Sequence, residues 1–163
     1  MINLLGWHDV LIAASAAAAT LAGLILAAMS VNIDSIIKLP YLPARAGSAI
    51  GSLIYVLVVT VAALVPNETA VGLGIVTLVV LVGPFAIHAD VIVRQLQIRP
   101  RQSFGRLWSK VALSVGQIVP FIIAGILLLQ GSVDGLDWLL ISSMCVFVGS
   151  VVNAWVLLVE IRR

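Results

Sequence analysis

The chain has 163 residues, 62% of them hydrophobic and 10% charged, with a net charge of +2 and a mean hydropathy of +1.21. Soluble domains carry roughly 45–50% apolar and about 25% charged residues, so this chain lacks the polar surface to cover a soluble globule. The composition reads as an all-α integral membrane protein, a single transmembrane domain over residues 1–163, because hydrocarbon forces each crossing segment to satisfy its own backbone polar groups.

Five apolar stretches are each close to the length of about 20 residues that crosses a bilayer core of roughly 30 Å. They cover approximately 9–31, 48–65, 71–93, 109–130 and 137–160, and predict a bundle of five transmembrane helices. The opening MINLLGWHDV lacks the basic segment of a secretory signal, so the first helix is expected to stay in the mature protein. Trp7, His8 and Asp9 read as an interfacial anchor at its start. Ser15, Ala19, Gly23 and Ala27 then recur every four residues, and the second span opens with a GxxxG pattern at Gly47 and Gly51. Small residues at this spacing let two helices approach closely in lipid. Contact within one subunit is the simpler expectation for both ridges, and contact between subunits the sharper one. Asn67-Glu68-Thr69 matches a glycosylation acceptor, but its connection is too short to lift it off the membrane, and the match reads as chance.

Polar residues are placed on the later helices by a rotation of about 100° per residue. In the third span Gly74, Thr77, Pro84, His88 and Gln95 share a stripe, while Asp90 and Arg94 stand at the spacing of a helical ion pair near the membrane boundary. Lys110, Ser114, Gln117 and Phe121 share a face of the fourth span; Ser142, Gly149, Asn153 and Glu160 share one of the fifth. His88, Gln117, Asn153 and Glu160 therefore form a candidate intramembrane polar cluster in the cytoplasmic half. His88 comes out about 26 Å from the external start of its helix at a rise of 1.5 Å per residue. Interhelical hydrogen bonding is the plain reading of Gln117 and Asn153, and a structural role at the membrane boundary that of His88, with a proton- or ion-sensitive position as its alternative. The sharper one is a cavity open to the cytoplasm, shaped by kinks at Pro84 and Pro120.

All nine cations fall in the first connection, in the third connection and the first residues of the fourth span after it, or in the C-terminal tail. The bias of Lys and Arg towards the cytoplasm then puts the N-terminus outside and the C-terminus in the cytoplasm. Lys38, Arg45, Arg99, Arg101, Arg106 and Lys110 make a collar expected to rest on anionic lipid, at about 1 kcal/mol per basic residue. These cations alternate with membrane-facing apolar residues, which argues against nucleic acid as a partner.

The chain shows no HExxH, GxSxG or Walker pattern and no paired intramembrane carboxylates, and Cys145 stands alone in an apolar run. No enzymatic activity, cofactor or metal is expected. Two readings follow. One is a small homo-oligomeric channel or permeation protein; the alternative is a non-enzymatic accessory subunit of a larger membrane complex such as a membrane protease. The first 70 residues also resemble a group of small bacterial membrane proteins, some labelled modulators of the FtsH protease. That likeness is carried by Trp7, His8 and Asp9, the alanine-rich first helix, Ser30 and Asn32 at its exit, and Leu42, Pro43, Arg45 and Ala46 in an LP-x-RA turn. The resemblance implies a multi-pass protein of the bacterial inner membrane.

Overall fold

Long runs of Ala, Leu, Val and Ile leave the backbone no hydrogen-bond partner but itself, and the computed structural model is accordingly helical. It describes the backbone of residues 6–31, 33, 42–98 and 104–161, with side chains over 6–31, 33, 46–83, 85–86 and 116–155. Five helices occur among the described residues: α1 (His8–Val31), α2 (Leu42–Ala63), α3 (Ala70–Ile98), α4 (Phe104–Leu129) and α5 (Gly135–Ile161). No strand occurs among them. Three are long and apolar enough over their described residues to cross a membrane: α1, α2 from Ala46 to Ala63, and α5 from Gly135 to Trp155. Ala70–Gly83 and Gly116–Leu129 are shorter apolar segments of α3 and α4. The third connection is shorter than the sequence reading expects, because α3 continues through Arg94 to Ile98 and α4 already begins at Phe104. Nothing in RQLQI breaks a helix. Pro100 disfavours helical geometry in the residue before it, and both lie outside the described residues.

The two short connections at the other helix ends are built by local chemistry. After α2, Glu68 N–H donates to Val65 C=O at 3.2 Å across Pro66 and Asn67, and Asn67 takes a positive φ of 62°. Pro followed by a residue of positive φ is the signature of a type II turn. Thr69 then caps α3, its hydroxyl accepting from Gly72 N–H at 3.0 Å. At the end of α4, Ser132 N–H donates to Leu127 C=O and Gly131 N–H to Leu128 C=O, with Gly131 at φ 78°. That pair of bonds is a Schellman motif, and it needs a left-handed residue such as glycine. Asp134 and Asp137 flank the start of α5, where the helix dipole favours negative charge. These two connections lie at the same end of the molecule, called here the hairpin end.

Helices α2, α3, α4 and α5 each pack against the next, and α5 closes back on α2, giving a four-helix ring. Outside the ring, α1 rests on α2 and α5 and buries Leu11, Ala14, Ala18 and Ile25. The interior is filled by Leu53, Val56, Val59, Leu73, Leu128, Leu136 and Leu139, among others. Glycines set the closest approaches near the hairpin end. A Cβ added to Gly74 of α3 would lie 2.8 Å from Leu129 N and 3.0 Å from Gly125 O of α4. Another at Gly135 of α5 would lie 2.9 Å from Ala124 O. Without water to expel, such backbone-to-backbone packing is what holds helices together in lipid.

The surface inverts the soluble pattern. Leu24, Val79, Val82, Val148 and Trp155 are strongly exposed, whereas Ser48, Ser52, Thr60, Thr77, Ser142, Ser143 and Ser150 are buried. Burial is cheap for these hydroxyls because they bond within their own helices: Ser52 donates to Ser48 C=O, Thr60 to Val56 C=O, Thr77 to Leu73 C=O and Ser143 to Leu139 C=O. Among the described residues, every fully buried side-chain polar atom has a partner.

Candidate functional site

One cross-helix node organises the ring. The Tyr55 hydroxyl of α2 donates to the Thr77 carbonyl of α3 at 2.9 Å. The Tyr55 ring meets Phe121 of α4 edge-on, with centroids 4.5 Å apart and planes at 83°. Edge-to-face is a favoured aromatic geometry. Both rings are almost wholly buried. Three helices therefore converge on one aromatic contact, which fills the ring about 12 Å below the hairpin end.

Beneath that contact lie further buried polar side chains. Helices α2 and α4 run in the same direction, since each is antiparallel to α3. One turn further from the hairpin end therefore carries Tyr55 to Ser52 and Phe121 to Gln117 at a common level. Gln117 is only 6% exposed, as are Ser52 and Ser48. On α5, Gly149 and Ser150 are buried at the matching depth. These residues lie about 16–22 Å from the hairpin end, estimated from 1.5 Å per residue. At this depth Ser48, Ser52, Gln117 and Ser150 are buried beside Ala49, Leu81 and Val146.

Of the residues expected from sequence to matter, Gln117 and Phe121 lie buried on one face of α4, and Gly74 and Thr77 are buried on α3. Ser142 and Gly149 are buried on α5 and Asn153 is half-buried. The side chains of His88, Glu160, Asp90, Arg94, Arg45, Arg106 and Lys110 lie outside the described residues, and Lys38, Arg99 and Arg101 lie outside them entirely. The structure thus brings Gln117 into the interior without testing its grouping with His88 and Glu160. Among the described residues, no three of His, Cys, Asp or Glu come together as metal ligands would.

Both small-residue ridges stand differently from the simpler expectation. Ala19, Gly23 and Ala27 are exposed and Ser15 is half-buried, and a Cβ on Gly23 would meet nothing within 4 Å. The contact of α1 with its neighbours is made instead by the face carrying Leu11, Ala14, Ala18 and Ile25. Gly47 is likewise exposed and open, and Gly51 is half-buried. The adjoining Ser48 and Ser52 turn inward in their place.

The sequence reading misses Tyr55 and Ser150, and takes Ser48 and Ser52 only as small residues beside the GxxxG pattern. Ser48, Ser52 and Tyr55 follow one another at steps of four and three, which places them on a single helix face and could have revealed them. No family model, no curated protein and no solved structure matches this chain, so the site is interpreted from its own residues.

Proposed function

We propose that this chain crosses a bacterial inner membrane five times and serves as a homo-oligomeric permeation protein, with a route inside the α2–α5 ring of each subunit. In this reading the hairpin end faces outward and the cation-bearing connections face the cytoplasm. The distribution of all nine cations supports that orientation. Trp155, 69% exposed towards the other end of α5, supports it too, as a residue suited to the headgroup level.

The observation that carries the reading is the layer of buried Ser48, Ser52, Gln117 and Ser150 below the Tyr55–Phe121 contact. Alanine in place of the three serines and leucine in place of Gln117 would occupy similar space at no polar cost. A polar interior is what a passing solute needs to replace its lost hydration. In this reading the route is closed where the two aromatic rings separate the polar half from the outside. The ridge of Ser15, Ala19, Gly23 and Ala27 supports assembly of copies, since the described residues leave Ala19, Gly23 and Ala27 exposed. That same uncovered face favours the second reading, an accessory subunit that docks a larger membrane protein.

The test is solute passage across liposomes containing the purified protein. Passage above that of protein-free vesicles supports the permeation reading. Its absence for every solute tried, from a protein that keeps its helical spectrum, removes that reading and leaves the accessory one.

A further inference from the structure

The polar layer carries a statement about what would pass, and this statement rests on the permeation reading. The buried polar side chains among the described residues are serines, threonines and one glutamine, and none is charged. Four of them, Ser48, Ser52, Gln117 and Ser150, lie about 16–22 Å below the hairpin end, close to the middle of a hydrocarbon core of roughly 30 Å. A bare ion at that depth needs fixed opposite charge or a cage of oriented dipoles to offset its lost hydration. The hydroxyls cannot all turn to supply one. Within the layer Ser52 commits its proton to the Ser48 carbonyl of the preceding turn at 3.0 Å, and so offers only lone pairs to the interior.

Gln117 differs from these groups. Its carboxamide brings two N–H donors and a carbonyl acceptor on one neutral group. It sits one turn beneath the Phe121 ring, where a solute leaving the polar half would meet the aromatic contact. Acceptors from the hydroxyls and both functions from the amide complement a solute that itself donates and accepts. They complement neither an anion, which needs several converging donors, nor a metal cation, which needs negative charge.

We infer that Gln117 is the specificity-determining residue of the route, and that the route selects small uncharged hydrogen-bonding solutes of the polyol or amide class over ions. Vesicles holding the full-length protein would be challenged with glycerol and urea gradients, followed by light scattering, and in parallel with potassium and chloride gradients followed by ion-sensitive dyes. Wild-type protein is expected to pass glycerol or urea and neither ion. Gln117→Leu is expected to slow the neutral solute about tenfold, as for the loss of one hydrogen bond at the narrow point, while Gln117→Asn retains most of the rate. A helical spectrum and thermal melt accompany each variant, and Gln117→Leu, apolar in an apolar medium, is expected to fold. Ion flux in the wild type, or neutral flux indifferent to Gln117→Leu, overturns this inference and leaves the permeation reading standing. Failure of every solute to pass overturns both.

Discussion

Replacing Gly74 with alanine adds one methyl group where α3 and α4 approach most closely. The new Cβ would lie 2.8 Å from Leu129 N, 3.0 Å from Gly125 O and 3.1 Å from Leu129 Cγ, against 3.4–4 Å for ordinary contact. Two of those atoms are backbone, so no side-chain rotation relieves the overlap, and the two helices have to separate locally by about 0.6 Å. Overpacking of this kind costs about 1–3 kcal/mol. Alanine's better helix propensity returns at most about 1 kcal/mol. The net expectation is a destabilisation of about 1–2 kcal/mol. Gly125→Ala is the informative contrast, since its Cβ would meet Leu78 Cδ2 and Cγ at 2.6 and 2.7 Å, atoms of a flexible side chain. It should lose less than about 1 kcal/mol after Leu78 changes rotamer. Gly83→Ala, with nothing within 4 Å, is the neutral reference. Unfolding in mixed micelles by titration with sodium dodecyl sulfate, followed by circular dichroism, ranks the three. A Gly74→Ala protein as stable as Gly83→Ala would refute the close approach of α3 and α4.

The remaining predictions use the same assay. Tyr55→Phe keeps the ring against Phe121 but removes the donor to the Thr77 carbonyl, which retains its place in α3; a loss of about 0.5–1.5 kcal/mol is expected. No change at all would mean that the hydroxyl bond between α2 and α3 is not formed in the membrane. Gly131→Ala forces a Cβ onto a residue at φ 78° and should cost about 1 kcal/mol, although the space around it is open. Neutral behaviour there would argue against the left-handed end of α4.

The membrane character and the helix positions are legible in the sequence because length and apolarity signal a crossing helix without any knowledge of its neighbours. What a uniformly apolar helix hides is its rotation. Along α1 every face is lipid-compatible, so the spacing of Ser15, Ala19, Gly23 and Ala27 identifies a smooth ridge without saying which way it turns. The structure turns it outward, and the face with Ala14, Ala18 and Ile25 inward. Where a larger polar group occurs the rotation becomes readable: Gln117 and Phe121, four residues apart, are inferred to share a face and are buried together. Tyr55 escaped notice because its run, SLIYVLVV, reads as plain hydrocarbon, and its role arises only from pairing with Thr77 and Phe121 on two other helices. Such a pairing depends on the register of three helices, which no single segment encodes.

The central claim is that the polar layer around Gln117 belongs to a route closed by the aromatic contact. The measurement that tests it most directly compares glycerol entry into vesicles containing wild-type protein, Phe121→Leu or Tyr55→Phe. Phe121→Leu removes the ring that Tyr55 packs against while keeping an apolar side chain of similar volume, and Tyr55→Phe leaves both rings in place. The account predicts faster entry with Phe121→Leu than with either of the other two proteins. Equal rates for all three, with the helical fold retained, would contradict it and make the Tyr55–Phe121 contact a packing feature alone.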